Sequence, residues 1–159
     1  MLLLPHTLVG LAAASVVKNP FLVAILSFAL HFFMDKVPHW DFYSNTKNDD
    51  GSRTTGWRIF AFIVDFGIAL CVGLFFVFNS LWYLGDSFLA INFLIGAVFS
   101  NLPDALEAPY VFHMNIYKKS KFLQKFTDFQ RFCQTQAPLP WGILTQVVVS
   151  LVCVFLLIR

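Results

Sequence analysis

The sequence predicts an all-α integral membrane protein, a helical bundle of about five transmembrane helices that forms a single membrane-embedded domain over residues 1–159. Hydrophobic residues make up 58% of the chain and charged residues only 13%, whereas soluble domains have roughly 25% charged residues. The mean hydropathy of +0.70 agrees with this class. The apolar residues are also gathered into long runs, as transmembrane helices require.

Five apolar runs are the predicted spans: 2–17, 21–34, 59–83, 88–102 and Trp141–Ile158. A bilayer core about 30 Å thick needs roughly 17–25 helical residues, so three of these runs are short. Either their helices extend past the apolar part, or the hairpin 2–34 is partly re-entrant. The opening run resembles the core of a signal peptide, but no Lys or Arg precedes it. We therefore expect it to be the first span.

The long connection 103–140 contains a predicted amphipathic interfacial helix. Its apolar positions recur at helical spacing and are Phe122, Phe126, Phe129 and Cys133. Basic residues lie between them, which is typical of a helix in the lipid headgroup region. The same pattern fits equally well a lid that packs against the spans.

The distribution of basic residues predicts the topology. With five spans, the loops 35–58 and 103–140 lie on one side and carry four and five Lys/Arg residues. The other side carries only Lys18 and Arg159. Because an excess of Lys and Arg marks the cytoplasmic side, we expect a multi-pass protein with a cytoplasmic N-terminus and an external C-terminus.

The most informative stretch follows the second apolar run. His31, Asp35, His39 and Asp41 place four metal-ligand side chains within eleven residues. His31 and Asp35 are four apart and share one face of a helix. Pro38 disfavours helical geometry in the residue before it, so we expect the second pair to fold back from the following turn. Ionisable groups at the end of a membrane helix are costly to desolvate and are candidates for function.

Three further ionisable groups fall at the same membrane face in this topology. His6 starts the first span, Asp65 lies about two turns into the third, and Asp104 follows the fourth. Asp86 is the only acid on the opposite side. Taken singly, His6 is explained as an interfacial residue and Asp104 as a helix cap. Their common side nevertheless predicts one shared site.

These groups predict a divalent metal site. The candidate ligands are His6, His31, Asp35, His39, Asp65 and Asp104. Imidazole with carboxylate suits zinc best, and carboxylate-rich sites also take manganese or magnesium. Such an ion supports hydrolysis of a phosphoester by water, for which Asp41 is the candidate general base. The predicted partners are membrane lipids and a phospholipid or other phosphoester at headgroup depth, and no nucleic-acid motif is present.

The same motifs resemble one bacterial family. They are the opening 4–10 (LPHTLVG), the string His31-x3-Asp35-x2-Pro38-His39-x-Asp41, the isolated Asp65, the pair Pro103-Asp104 and the segment 142–146 (GILTQ). Together they look like the membrane-bound metal-dependent hydrolases, the YdjM-like inner-membrane proteins. The resemblance implies a bacterial inner-membrane location, phosphoester hydrolysis and the site residues named above.

One segment departs from that family. Many relatives have histidines before the last span, whereas residues 126–136 (FTDFQRFCQTQ) contain none. Asp128 or Gln130 could substitute there as weaker ligands. A second interpretation is therefore a non-catalytic or degenerate member, in which the His/Asp cluster is a structural ion-binding knot. A transporter or proton relay would need polar groups through the membrane depth, and Asp65 is the one serious candidate for that role.

Overall fold

The computed structural model describes residues 1–41, 55–112 and 114–159, and this part of the chain is helical as predicted. Its helices are α1 (Leu3–Val16), α2 (Pro20–Asp35), α3 (Thr55–Phe78), α4 (Ser87–Val111), α5 (Asn115–Lys119), α6 (Lys121–Cys133) and α7 (Trp141–Ile158). A π-helical turn, Asn79–Tyr83, extends α3. Within these ranges the structure has no β-strand, only an isolated bridge between His39 and Gln136. Lys47 and Arg53, two of the four basic residues counted in the loop 35–58, lie outside the described residues.

Helix α1 is the centre of the bundle. It packs against α2, α3, α4 and α7, and its residues from Pro5 to Ala14 are all buried. Leu11 of α1 and Val23 of α2 are completely inaccessible, and Phe93 of α4 completes this part of the core. The side chains from Pro5 to Ala14 therefore all face protein, including that of His6.

Two glycines set how closely α1 approaches α4. A Cβ atom added to Gly10 would collide with the backbone carbonyl of Gly96, and a Cβ on Gly96 would collide with that of Gly10. Small residues let membrane helices bring their backbones together in this way. The contact fixes the height of His6 relative to Ser100 and Asp104 on α4.

In the part of the chain that the structure describes, three helices are long and apolar enough to cross a membrane: Phe62–Tyr83, Ser87–Val111 and Trp141–Ile158. Helices α1 and α2 have 14 and 16 residues, and at 1.5 Å per residue they extend only about 21 and 24 Å. The number of five spans therefore stays a prediction. Large apolar side chains cover the outside of the bundle while histidines, Asp35 and Ser100 are buried within it. This arrangement is typical of helices surrounded by lipid.

Helix α4 continues past the end of its apolar run, which is one of the two alternatives that the sequence left open for the short runs. The apolar run ends at 102, and the helix passes through Pro103 and Pro109 and ends at Val111. Prolines are tolerated inside membrane helices when neighbouring groups satisfy the backbone they leave unpaired. Asp104 is consequently an interior residue of α4, and the interpretation of Asp104 as a helix cap is wrong.

The segment after α2 is tied to the segment after α6. Thr135 N–H donates to the Asp35 carbonyl at 2.9 Å, His39 N–H to the Thr135 carbonyl at 3.0 Å, and Ala137 N–H to the His39 carbonyl at 2.8 Å. Gly142 then closes on Trp40, because a Cβ at Gly142 would lie 2.7 Å from that of Trp40. These contacts hold His39 beneath the end of α2, where the sequence placed it.

The glycine contact gives a first prediction. Gly96→Ala should lower the free energy of unfolding by about 1–3 kcal/mol, because the new methyl group meets backbone that cannot move without separating α1 from α4. Thermal melting of the detergent-purified protein measures this change.

Gly67→Ala is the matched control, since a Cβ there meets nothing within 4 Å. Alanine is also the better helix former, so this variant should melt at the same temperature or slightly higher. Equal melting temperatures for the two variants would contradict the close contact between the helices.

Candidate metal centre

The carboxylate of Asp35 is the hub of the site and is completely buried. Its Oδ1 lies 2.8 Å from the Met1 amino nitrogen and 3.2 Å from His6 Nε2. Its Oδ2 lies 3.3 Å from His31 Nε2. His39 Nε2 approaches Oδ1 from the other side at 4.0 Å. Groups from α1, α2 and the segment after α2 thus converge on one acid, as the shared-side argument from sequence predicts.

In two histidines the ring nitrogen Nδ1 is held by a backbone carbonyl. His31 Nδ1 lies 2.7 Å from the Ser100 carbonyl and His39 Nδ1 lies 2.8 Å from the Val37 carbonyl. A carbonyl only accepts, so each Nδ1 carries the proton and the neutral ring keeps its lone pair on Nε2. Burial, with the nearby Met1 ammonium, lowers the pKa of His39 and favours its neutral form. Histidines that bind metals are usually oriented in this way.

The ring of His6 lies flat against the ring of His31. The rings of His6 and His31 stack with centroids 4.0 Å apart and planes 22° from parallel. If His6 Nε2–H donates to Asp35 Oδ1 across 3.2 Å, the lone pair of the neutral ring is on Nδ1. His6 therefore also offers one nitrogen that can bind a cation.

Asp104 completes a group of three side chains whose ligand atoms lie close enough together to hold one metal ion. Its Oδ1 lies 3.7 Å from His31 Nε2, and one ligand atom each from His6, His31 and Asp104 fall within 4.8 Å of one another. Ligand atoms around tetrahedral zinc, with bonds of 2.0–2.2 Å, are about 3.4 Å apart, so binding would draw this group together by roughly 1 Å. The Asp104 side chain is 22% exposed while the histidines are inaccessible.

Unpaired atoms show that the donor set fits a cation. Among the residues that the structure describes, five buried ligand atoms have no hydrogen-bond partner: His6 Nδ1, His31 Nε2, His39 Nε2, Asp35 Oδ2 and Asp104 Oδ2. Each unpaired buried group costs about 1–3 kcal/mol. A lone pair on His31 Nε2 facing two carboxylates is repulsive unless a proton or a metal ion lies between them. Imidazole nitrogen with carboxylate oxygen is a typical donor set for zinc.

Two predicted site residues lie outside this group and have other contacts. Asp65 accepts hydrogen bonds from Leu3 N–H at 3.0 and 2.9 Å, so it stabilises the N-terminus of α1. It thereby holds in place the helix that carries His6. Asp41 Oδ2 accepts a hydrogen bond from Gln136 Nε2 at 3.3 Å. Metal ligation by Asp65 and general-base catalysis by Asp41 stay predictions.

Helix α6 covers the site as a lid. Its buried residues are Thr127, Gln130 and Cys133, and Gln130 Nε2 donates to Asp104 Oδ1 at 2.7 Å. Phe129 packs edge-on against Phe32 of α2 with ring centroids 5.1 Å apart. Of the two interpretations of the amphipathic segment, these contacts support the lid. The segment without histidine therefore contributes an amide that orients Asp104.

Sequence reasoning missed three members of the site. The Met1 amino group and the Ser100 carbonyl are backbone groups that no motif indicates, although Pro103 marks α4 as irregular nearby. Glu107 lies one turn beyond Asp104, is half-buried, and is near enough to be repelled by the charge of Asp104 and attracted by that of Arg131. Its three-residue spacing from Asp104 was the available signal.

Zinc content provides the second prediction. His31→Ala should lose bound zinc by at least tenfold, because it removes the nitrogen that faces both carboxylates, and a lost ligand costs more than the 10–100-fold of an outer contact. Metal analysis of purified protein after dialysis against buffered zinc measures the loss.

Asp128→Ala is the control for surface binding, since Asp128 is exposed on α6. It should keep the zinc stoichiometry of the wild type. If His31→Ala bound as much zinc as Asp128→Ala, the ion would lie elsewhere.

No protein-family model matches the chain, and neither a curated protein nor a solved structure matches it. The resemblance to the YdjM-like hydrolases therefore stays a prediction from the motifs. The metal centre is supported by its geometry.

Proposed function

We propose that the protein is a metal-dependent hydrolase of a phosphoester at the cytoplasmic face of a bacterial inner membrane. The position of His31 is the main support for this proposal. Its Nδ1 is fixed by the Ser100 carbonyl, and its Nε2 lies 3.3 Å from Asp35 and 3.7 Å from Asp104. Ligands held this rigidly before the ion arrives are typical of functional metal sites.

The ligands in this proposal are His6, His31 and Asp104, with Asp35 and His39 beside them. A bound divalent ion would polarise the phosphoryl oxygen and lower the pKa of water. Gln130 orients Asp104, and the lid α6 limits the access of bulk water. Asp41 is the proposed acceptor for the proton that water releases as it adds to phosphorus, and this proton passes to the oxygen of the leaving alcohol as the P–O bond breaks.

The membrane location is proposed from three features. Among the described residues, three helices are long and apolar enough to span a membrane. The lid exposes Phe122 and Phe132 beside the exposed bases Lys121 and Lys125. Basic residues next to exposed aromatic rings favour the surface of an anionic leaflet. The active site would then lie at the depth of lipid headgroups.

A second function is favoured by the contacts of Asp35. Its Oδ1 has the Met1 amino group at 2.8 Å and His6 Nε2 at 3.2 Å. This buried ion pair joins α1 to α2 without any metal. The cluster would then be a structural knot at the helix ends.

The third prediction separates the two functions. If the site is catalytic, His31→Ala should abolish phosphoester hydrolysis supported by zinc, manganese or magnesium, while the protein still inserts and folds. If the knot is only structural, the same His31→Ala change should instead cost about 3–5 kcal/mol of stability, since it leaves buried carboxylates uncompensated, and there should be no activity to lose. Turnover and melting temperature are measured on the same preparations.

Asp128→Ala again serves as the control and should change neither quantity. A folded wild type that binds none of the three ions would overturn the enzyme proposal. A wild type that binds zinc but hydrolyses no phosphate monoester or diester would leave the structural knot as the function.

A further inference from the structure

An apolar groove runs along the central helix of the bundle, away from the metal centre. It has a volume of about 280 Å³ and lies between α1, α2 and α7. Its floor includes Val9 and Ala13 of α1, and its walls include Leu26 and Leu30 of α2 and Leu156 of α7. All its lining residues are apolar apart from Cys153, whose thiol behaves as a small apolar group.

The dimensions of the groove select its occupant. The lining residues run from Val9 on α1 to Val17 directly after it, which is about 12 Å at 1.5 Å per residue. A volume of about 280 Å³ over that length gives a mean cross-section of roughly 23 Å². A helix about 10 Å across has roughly three times that cross-section. A single extended hydrocarbon chain is the occupant that fits.

The groove also lies in the right place for a lipid. Val9 is one turn beyond His6 on α1, and Leu30 directly precedes His31 on α2. Its rim is exposed, with Val16 74%, Leu26 37% and Leu156 44% accessible. These side chains face the outside of the bundle, where the apolar surface of the long helices meets lipid. A chain can therefore enter sideways from the bilayer with its polar end toward the histidines.

We propose that this groove holds one acyl chain of the substrate, so that the substrate is a lipid phosphoester whose phosphate lies at the metal centre. The inference rests on the proposed function and specifies its substrate class. Lipid tails are as apolar as the groove, so the chain gains little affinity by leaving the bilayer. The groove acts by orientation, since it aligns the phosphate with the ligands and restricts its motion.

Photo-crosslinking tests the groove independently of catalysis. The probe is phosphatidic acid with a diazirine in the middle of one acyl chain, in vesicles of phosphatidylglycerol and phosphatidylcholine. Mass spectrometry of the full-length protein locates the adducts. In the wild type, adducts should be several-fold more frequent on groove residues than on the outward residues of α3.

Two variants fill the groove. Ala13→Phe fills the floor, and Leu26→Trp fills it from the rim, where a larger side chain disturbs the core less. Both should reduce groove adducts several-fold. Ile25→Phe is the control, because Ile25 is 67% exposed on the outer face of α2, and it should leave the groove adducts unchanged.

The inference is overturned if wild-type adducts are spread evenly over the outward surfaces, or if Leu26→Trp folds and keeps the wild-type pattern. Zinc content and the hydrolysis of a water-soluble phosphate ester, measured on the same samples, test the proposed function separately. A second readout compares substrates. Leu26→Trp should slow hydrolysis of the long-chain lipid several-fold and leave hydrolysis of a water-soluble phosphate ester unchanged, and equal slowing of both would contradict a role in holding the chain.

Discussion

The buried carboxylate of Asp35 is the constraint on which the rest of the structure depends. An isolated carboxylate inside a helical bundle is strongly unfavourable, so the chain must surround it with positive or polar partners. It does so with His6, His31, His39 and the Met1 amino group, which come from three segments of the chain. Satisfying this one acid therefore fixes the start of α1, the end of α2 and the segment that follows.

The remaining packing keeps those partners in position. The contact between Gly10 and Gly96 brings α1 against α4, so that Ser100 can fix the His31 ring. Gln146 of α7 accepts from Leu2 N–H at 2.9 Å and donates to the Trp40 carbonyl at 2.7 Å. The same interactions that stabilise the bundle thus orient the candidate ligands. A metal site built in this way loses little entropy when the ion binds.

The sequence predicted the helical class of the fold and the proximity of His31 to Asp35 for physical reasons. Apolar runs identify helices, and the four-residue spacing of His31 and Asp35 places both on one face. Composition could not determine the extent of α4, because tertiary contacts carry it past two prolines. Composition also could not show whether Asp65 binds a metal ion or accepts hydrogen bonds at the N-terminus of α1, since both roles need a buried acid. Backbone partners such as the Ser100 carbonyl have no side-chain signature at all.

X-ray absorption at the zinc edge of the wild-type protein tests whether His31 and Asp104 bind the ion. We expect nitrogen and oxygen neighbours at 2.0–2.2 Å with the outer-shell scattering of imidazole rings. His31→Ala should lower that imidazole contribution. A spectrum without imidazole scattering, or with zinc bound to cysteine sulfur at about 2.3 Å, would contradict a metal centre built around His31 and Asp104.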